Sequence, residues 1–257
     1  MRVIIQKDYE AMSKRAAGFV AEIVRNKPDC VLGLATGGTP VGLYRELIRM
    51  HQEEGLDFAR VTTFNLDEYY GLASAHEQSF HFFMYDNLFN HINVSPANIH
   101  VPSGTAPDVG DSCARYEEMI AQAGGIDVQV LGIGIDGHIG YNEPGSSLAS
   151  RTRLVTLLEE TKKGYAPFFE AEQEVPCFAI TIGVGTILDA RKCLLLANGE
   201  KKAAIIAEAV EGPITSQVTA SALQMHPDTV VIVDEAASSA FKRRAFYLYA
   251  EDIRAKL

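Results

Sequence analysis

Short apolar runs alternate with helically spaced segments along most of the 257 residues, and this alternation constrains the fold more than any other feature of the sequence. Runs at 30–35, 61–65, 126–131, 177–182, 193–197 and 229–233 are strand-length and carry little polar character, as strands buried on both faces do. Between them, apolar side chains recur at helical spacing. Tyr9, Met12, Ala16, Phe19, Val20, Ile23 and Val24 follow Asp8, which suits a helix cap. Leu43, Tyr44, Leu47 and Ile48 make a second face, and 79–92, 111–123 and 202–210 read as further helices. Buried strands separated by helices predict one α/β domain over residues 1–257, Rossmann-like, with a parallel sheet and helices on both faces. One stretch breaks the pattern. After a strand-like 154–158, residues 159–174 are polar and irregular, which marks 151–176 as a lid excursion; a plain surface helix or loop fits the same composition.

A formal net charge of −10 leaves no basic footprint for nucleic acid. It leaves room for an anionic small molecule in a locally positive pocket. No stretch approaches the ~18 apolar residues of a membrane span, and the first residues are too poor in apolar side chains for a signal peptide. Cys30, Cys177 and Cys193 lie in apolar runs and read as buried, reduced thiols; with Cys113 they form no C-x-x-C pair. These features predict a soluble, cytoplasmic protein.

The ionisable residues with chemical promise sit at strand ends. Gly132-Ile133-Gly134-Ile135-Asp136-Gly137-His138 follows the 126–131 run, and Asn142-Glu143-Pro144 comes just after. Asp136, His138 and Glu143 thus gather among glycines where an open α/β sheet places its chemistry. Asp67 and Glu68 follow the 61–65 run. An isolated Asp-Glu pair is ordinarily a solvated loop, but beside a histidine it completes a proton-transfer set. One histidine among scattered acids makes no familiar metal-ligand spacing. Thr36-Gly37-Gly38-Thr39-Pro40 joins a strand to a helix, with Thr39 as its expected cap. It reads equally as a phosphate cradle or as a tight turn needing glycine for geometry alone.

The ordered set Ala35-Thr36-Gly37-Gly38-Thr39-Pro40, Phe64-Asn65-Leu66-Asp67-Glu68-Tyr69, Asp136-Gly137-His138-Ile139, Asn142-Glu143-Pro144, Ser150-Arg151-Thr152-Arg153 and Gly183-Val184-Gly185-Thr186 resembles the glucosamine-6-phosphate deaminase family. The resemblance covers nearly the whole chain. It implies conversion of glucosamine 6-phosphate to fructose 6-phosphate and ammonia without a cofactor. By that resemblance Asp67 moves the C2 proton to C1, and His138 opens the sugar ring with help from Asp136 and Glu143. Thr36, Gly37, Gly38, Thr39 and Lys202 match the phosphate cradle, and Ser146 and Arg153 match an allosteric pattern. Two positions depart from it. Pro167 precedes Phe168-Phe169 where the family carries a phosphate-binding arginine. Val155 stands where allosteric members are basic, which implies little or no activation by N-acetylglucosamine 6-phosphate. The implied partner is a small amino-sugar phosphate, and the family includes both homo-oligomers and monomers. Alternatives are a 6-phosphogluconolactonase-like hydrolase, a deaminase of a variant amino-sugar phosphate, and a non-catalytic sugar-phosphate sensor.

Overall fold

The computed structural model describes residues 1–166, 169 and 175–256. In chain order the strands are β1 (Arg2–Gln6), β2 (Val31–Leu34), β3 (Thr62–Asn65), β4 (Asp67–Tyr70), β5 (Ile99–His100), β6 (Val128–Leu131), β7 (Arg153–Thr156), β8 (Phe178–Thr181), β9 (Cys193–Ala197) and β10 (Thr229–Asp234). The helices are α1 (Tyr9–Asn26), α2 (Gly38–Glu54), α3 (Phe80–Asn87), α4 (Val109–Gln122), α5 (Glu159–Tyr165), α6 (Val184–Leu188), α7 (Ala203–Glu211) and α8 (Arg244–Arg254). Asp8 caps α1 as expected, its Oδ1 accepting from the Ala11 N–H at 2.8 Å, a bond that contributes about 1 kcal/mol.

Seven strands form one parallel sheet in the order β1-β10-β9-β6-β2-β3-β5. Alternate side chains along each strand feed two cores. Val231 and Val233 pack with Tyr116 and Ile120 of α4 and Ile206 of α7 on one face. Val230 and Ile232 pack with Met12, Val20 and Leu43 of α1 and α2 on the other. Each such side chain withdrawn from water contributes roughly 1.5–3 kcal/mol, so the sheet is held from both sides, as the sequence predicts. The chain order reverses between β2 and β6, and a crevice opens there at the carboxyl ends of the strands. The spacing of these two strands depends on Gly33. A Cβ on it would lie 2.1 Å from the Oε1 of Gln129 on β6.

The second sheet corrects the expectation of a single one. β4, β8 and β7 form a three-stranded antiparallel sheet. The 177–182 and 154–158 runs therefore build this small sheet and do not extend the parallel one. Only Leu66 separates β3 from β4; its N–H continues the large sheet to the Leu34 carbonyl (2.9 Å), while its carbonyl accepts from Ile182 of the small sheet (2.7 Å). Asp67 and Glu68 are consequently strand residues and buried, not parts of a solvated loop. Cys177, expected buried, is exposed because it precedes β8; Cys30, Cys113 and Cys193 are buried free thiols. Within 151–176 lie β7 and α5; Pro167 and Phe168 fall outside the described residues. Among those described, no helix is long and apolar enough to cross a membrane.

Candidate active site

A cleft of about 500 Å³ lies over the β2–β6 crevice and reaches the small sheet. Four of the segments that line it carry the residues singled out in the sequence. The β2–α2 turn brings Thr36, Gly37, Gly38 and Thr39; the loop after β6 brings Asp136 and His138; β4 brings Asp67; and the 3₁₀ turn before α7 brings Lys202.

The turn before α2 is built by glycine. Gly37 occupies the cap position and the helix starts at Gly38, so Thr39 is not the cap. Its hydroxyl donates to Asn198 Oδ1 at 3.0 Å instead, and no side chain caps the first-turn N–H groups, which lie beside the cleft. Those groups and the positive end of α2 attract an anion. Lys202 Nζ stands nearby, donating to the Ile133 carbonyl at 2.7 Å. Burial pulls its ammonium below the ordinary lysine value, partly offset by the Asp136 charge. Lys202 is the one Lys or Arg among the described residues that line the cleft.

On the opposite strand end, His138 Nδ1 lies 2.6 Å from Asp136 Oδ1. Burial raises the Asp136 carboxyl, but the hydrogen bond and charge of His138 outweigh it and hold the group below the usual carboxylate range. The imidazole lies flat against the backbone of Gly134, where a Cβ would come within 2.4 Å of the ring. The Gly134 N–H in turn bonds the His138 carbonyl at 2.9 Å. A carboxylate on one ring nitrogen fixes the tautomer and leaves the other nitrogen to exchange protons.

Asp67 faces the same cleft from β4. Burial, with the charge of adjacent Glu68, pushes its carboxyl up to about 8. Glu68 points away from the cleft. It accepts from the N–H groups of Phe80 and His81 at the start of α3 (both 2.9 Å) and from Tyr69 (2.8 Å). The pair thus diverges, with one carboxyl lining the cleft and one holding a helix start.

Glu143 does not line the cleft. Its carboxylate accepts from the Leu158 N–H (2.9 Å) and from the Thr161 hydroxyl, tying down the first turn of α5. No hydrogen bond joins it to His138 among the described residues. Ser146 and Arg153 also lie away from the cleft. Ser146 donates its N–H to the Glu143 carbonyl at 3.0 Å, and Arg153 donates to Asn142 Oδ1 at 2.8 Å. Sequence reasoning passed over Phe80, Tyr141, Glu160 and Thr161, which do line the cleft. Phe80 belongs to the 79–92 stretch, whose helical pattern carries four phenylalanines and a tyrosine, and that aromatic density is its signal in the sequence. Among the described residues no three His, Cys, Asp or Glu side chains gather closely enough to hold a metal ion.

With this geometry in view, the model of the glucosamine-6-phosphate isomerases and 6-phosphogluconolactonases matches residues 6–232. The chain belongs to that family. Within it, the chain is 51% identical over 239 residues to a glucosamine-6-phosphate deaminase of Thermoanaerobacter pseudethanolicus, covering 93% of this chain and 94% of the relative. It is 50% identical over 248 residues to one of Clostridioides difficile, covering 96% and 100%. A solved structure of a monomeric glucosamine-6-phosphate deaminase superposes with a TM-score of 0.91 at 47% identity, over 93% of this chain and all of that one. The 6-phosphogluconolactonase of Trypanosoma brucei, at 18% identity and a TM-score of 0.73 over 92% of this chain and 97% of that one, shares the fold.

Proposed function

We propose that this enzyme converts glucosamine 6-phosphate to fructose 6-phosphate and ammonia. The observation that carries the proposal is the pairing, across one cleft, of a buried carboxyl on β4 with an imidazole–carboxylate pair after β6. Aldose-to-ketose conversion needs one group that moves a proton between adjacent carbons, and ring opening needs another elsewhere on the sugar. A lactone hydrolase has no use for the first. The relatives at about half identity over almost the full chain carry the same activity in their names.

In this reading the phosphate sits against the first turn of α2 and Lys202. His138, oriented by Asp136, shuttles a proton between the ring oxygen and the C1 hydroxyl, giving the open aldehyde. Asp67, as carboxylate, removes the C2 proton; the electron pair forms the C1–C2 double bond, the C1=O π pair moves onto O1, and O1 takes up a proton from water to give the enolamine. The same carboxyl returns the proton to C1. Water then adds to the C2 imine and ammonia leaves, so the sequence ends in a hydrolytic step on an isomerised sugar. Glu143 acts through 151–176, which serves as the lid of a single domain, and Ser146 and Arg153 without a basic residue at 155 give no effector site. The buried thiols of Cys30, Cys113 and Cys193 support a reducing, cytoplasmic setting.

Lys202 as the one basic residue lining the described cleft, with Pro167 in place of an arginine, favours a second reading in which a related amino-sugar phosphate is preferred. A coupled assay separates the two. Fructose 6-phosphate and ammonia should form from glucosamine 6-phosphate, and no ammonia from unphosphorylated glucosamine; no product from glucosamine 6-phosphate, with turnover of another amino-sugar phosphate, would replace the first reading by the second.

A further inference from the structure

The two proton-handling groups belong to different sheets, so something must hold the loop after β6 at a fixed distance from β4. Asn142 is completely buried and occupies that joint. Its Nδ2 donates to the Ile139 carbonyl at 2.9 Å and to the Ile182 carbonyl at 2.8 Å. Its Oδ1 accepts from Arg153 Nη1 at 2.8 Å. Its own carbonyl accepts from Thr219 Oγ1 at 2.7 Å. One amide therefore ties the residue next to His138 to the end of β8 and to β7.

The register of the small sheet gives that tie its consequence. Thr181 of β8 lies opposite Asp67 on one side and opposite Arg153 on the other. Between this row and Asn142 sits Gly140, at φ 56°. A Cβ there would be 2.8 Å from Thr181 Oγ1, 3.5 Å from Asn142 Nδ2 and 3.6 Å from Asp67 Oδ2. The loop bearing His138 thus packs directly beside the Asp67 carboxyl; the Tyr141 N–H also reaches Thr181 Oγ1 at 3.0 Å, and Asn142 is the side chain that ties the loop to both β8 and β7. Two carbonyls on the nitrogen side and a guanidinium on the oxygen side fix which way the amide points. An aspartate would set a carboxylate against two carbonyl oxygens.

We propose that Asn142 is a positioning residue for catalysis: locked by Arg153, it sets the spacing between Asp67 and His138. This rests on the two-group reaction proposed above. A displacement of about 1 Å between reacting groups costs about 100-fold in rate. The phosphate contacts lie on α2 and Lys202, away from the joint, so the loss falls on kcat and not on KM.

The test compares N142S and R153M with wild type, per mole of folded enzyme, on glucosamine 6-phosphate. N142S should lose about 100-fold in kcat and R153M about 10-fold, each with KM within about threefold of wild type. The acid limb of kcat/KM should also move to lower pH in both, as water reaches Asp67 through the loosened loop. A bland packing role would lower the melting temperature and leave the pH profile in place. If N142S does not fold, R153M decides. Unchanged kcat and pH profile in the folded variants, or a loss confined to KM, would overturn the assignment. Inactivity of the wild type itself would instead remove the underlying reaction.

Discussion

The buried carboxyl of Asp67 makes a prediction about stability that does not depend on turnover. Burial and Glu68 move it from 3.8 to about 8. In the unfolded chain the proton leaves near 3.8, so between the two values the folded state holds a proton that the unfolded state has released. Stability then falls as pH rises through that window, fully present below it and lost above about 8. At about 1.4 kcal/mol for each pH unit, the whole window bounds the loss at about 6 kcal/mol. Water in the cleft relaxes part of the penalty, and about half, ~3 kcal/mol, is the expected size. Asp67→Asn removes the titration, while Glu68, also raised by burial, is present in both proteins. Calorimetry of the two from pH 5 to pH 9 should show the variant gaining on wild type as pH rises, by ~6 °C or more at pH 9. A gap that stays constant with pH, or a wild type that is the more stable at pH 9, would refute the reasoning. The same variant should lack turnover and solvent exchange at C2, and wild-type kcat/KM should climb through an acid limb near 8.

Lys202→Met should cost about 10- to 100-fold in kcat/KM on the phosphorylated sugar, the worth of one charge-assisted bond; an equal loss on the unphosphorylated sugar would remove Lys202 from the phosphate. Glu143→Gln weakens the bonds to Leu158 and Thr161, so trypsin should cut after Lys162 or Lys163 several-fold faster, a change of about 1 kcal/mol in local opening. Unchanged cleavage with a large fall in kcat would return Glu143 to His138. N-acetylglucosamine 6-phosphate should leave the half-saturation for substrate where it is, since Val155 supplies no cation; a clear drop on adding it would sink that expectation.

The inner strands of the large sheet, β2, β3, β6, β9 and β10, are legible because each is an apolar run with a neighbour on both sides, whereas the edge strand β5 is the half-buried pair Ile99–His100 and carries no such run. The site loops were legible because glycine, acid and imidazole cluster at strand ends. The small sheet was not. β4 reads Asp-Glu-Tyr-Tyr, a composition that looks solvated until β8, far away in sequence, pairs with it. Local pattern cannot report such a partner, and without it Asp67 reads as a loop residue. Glu143 shows the same limit. Its position five residues after His138 suggests a shared site, whereas its carboxylate bonds the backbone at 158. Asn142 stood in view as part of a motif, but its role lies in four partners spread from 139 to 219.

Gly33 and Gln129 carry a consequence for how this chain can vary. The glutamine is fully buried, and its Nε2 is committed to the Val130 carbonyl at 3.0 Å, so it cannot swing aside for a methyl group at 33. Gly33→Ala alone should push apart the two strands from whose ends the cleft loops spring. Paired with Gln129→Ser, the same alanine has room. The two positions behave as one choice written in two places: substituted singly, 33 will score as immutable, and substituted together they will show strong positive epistasis.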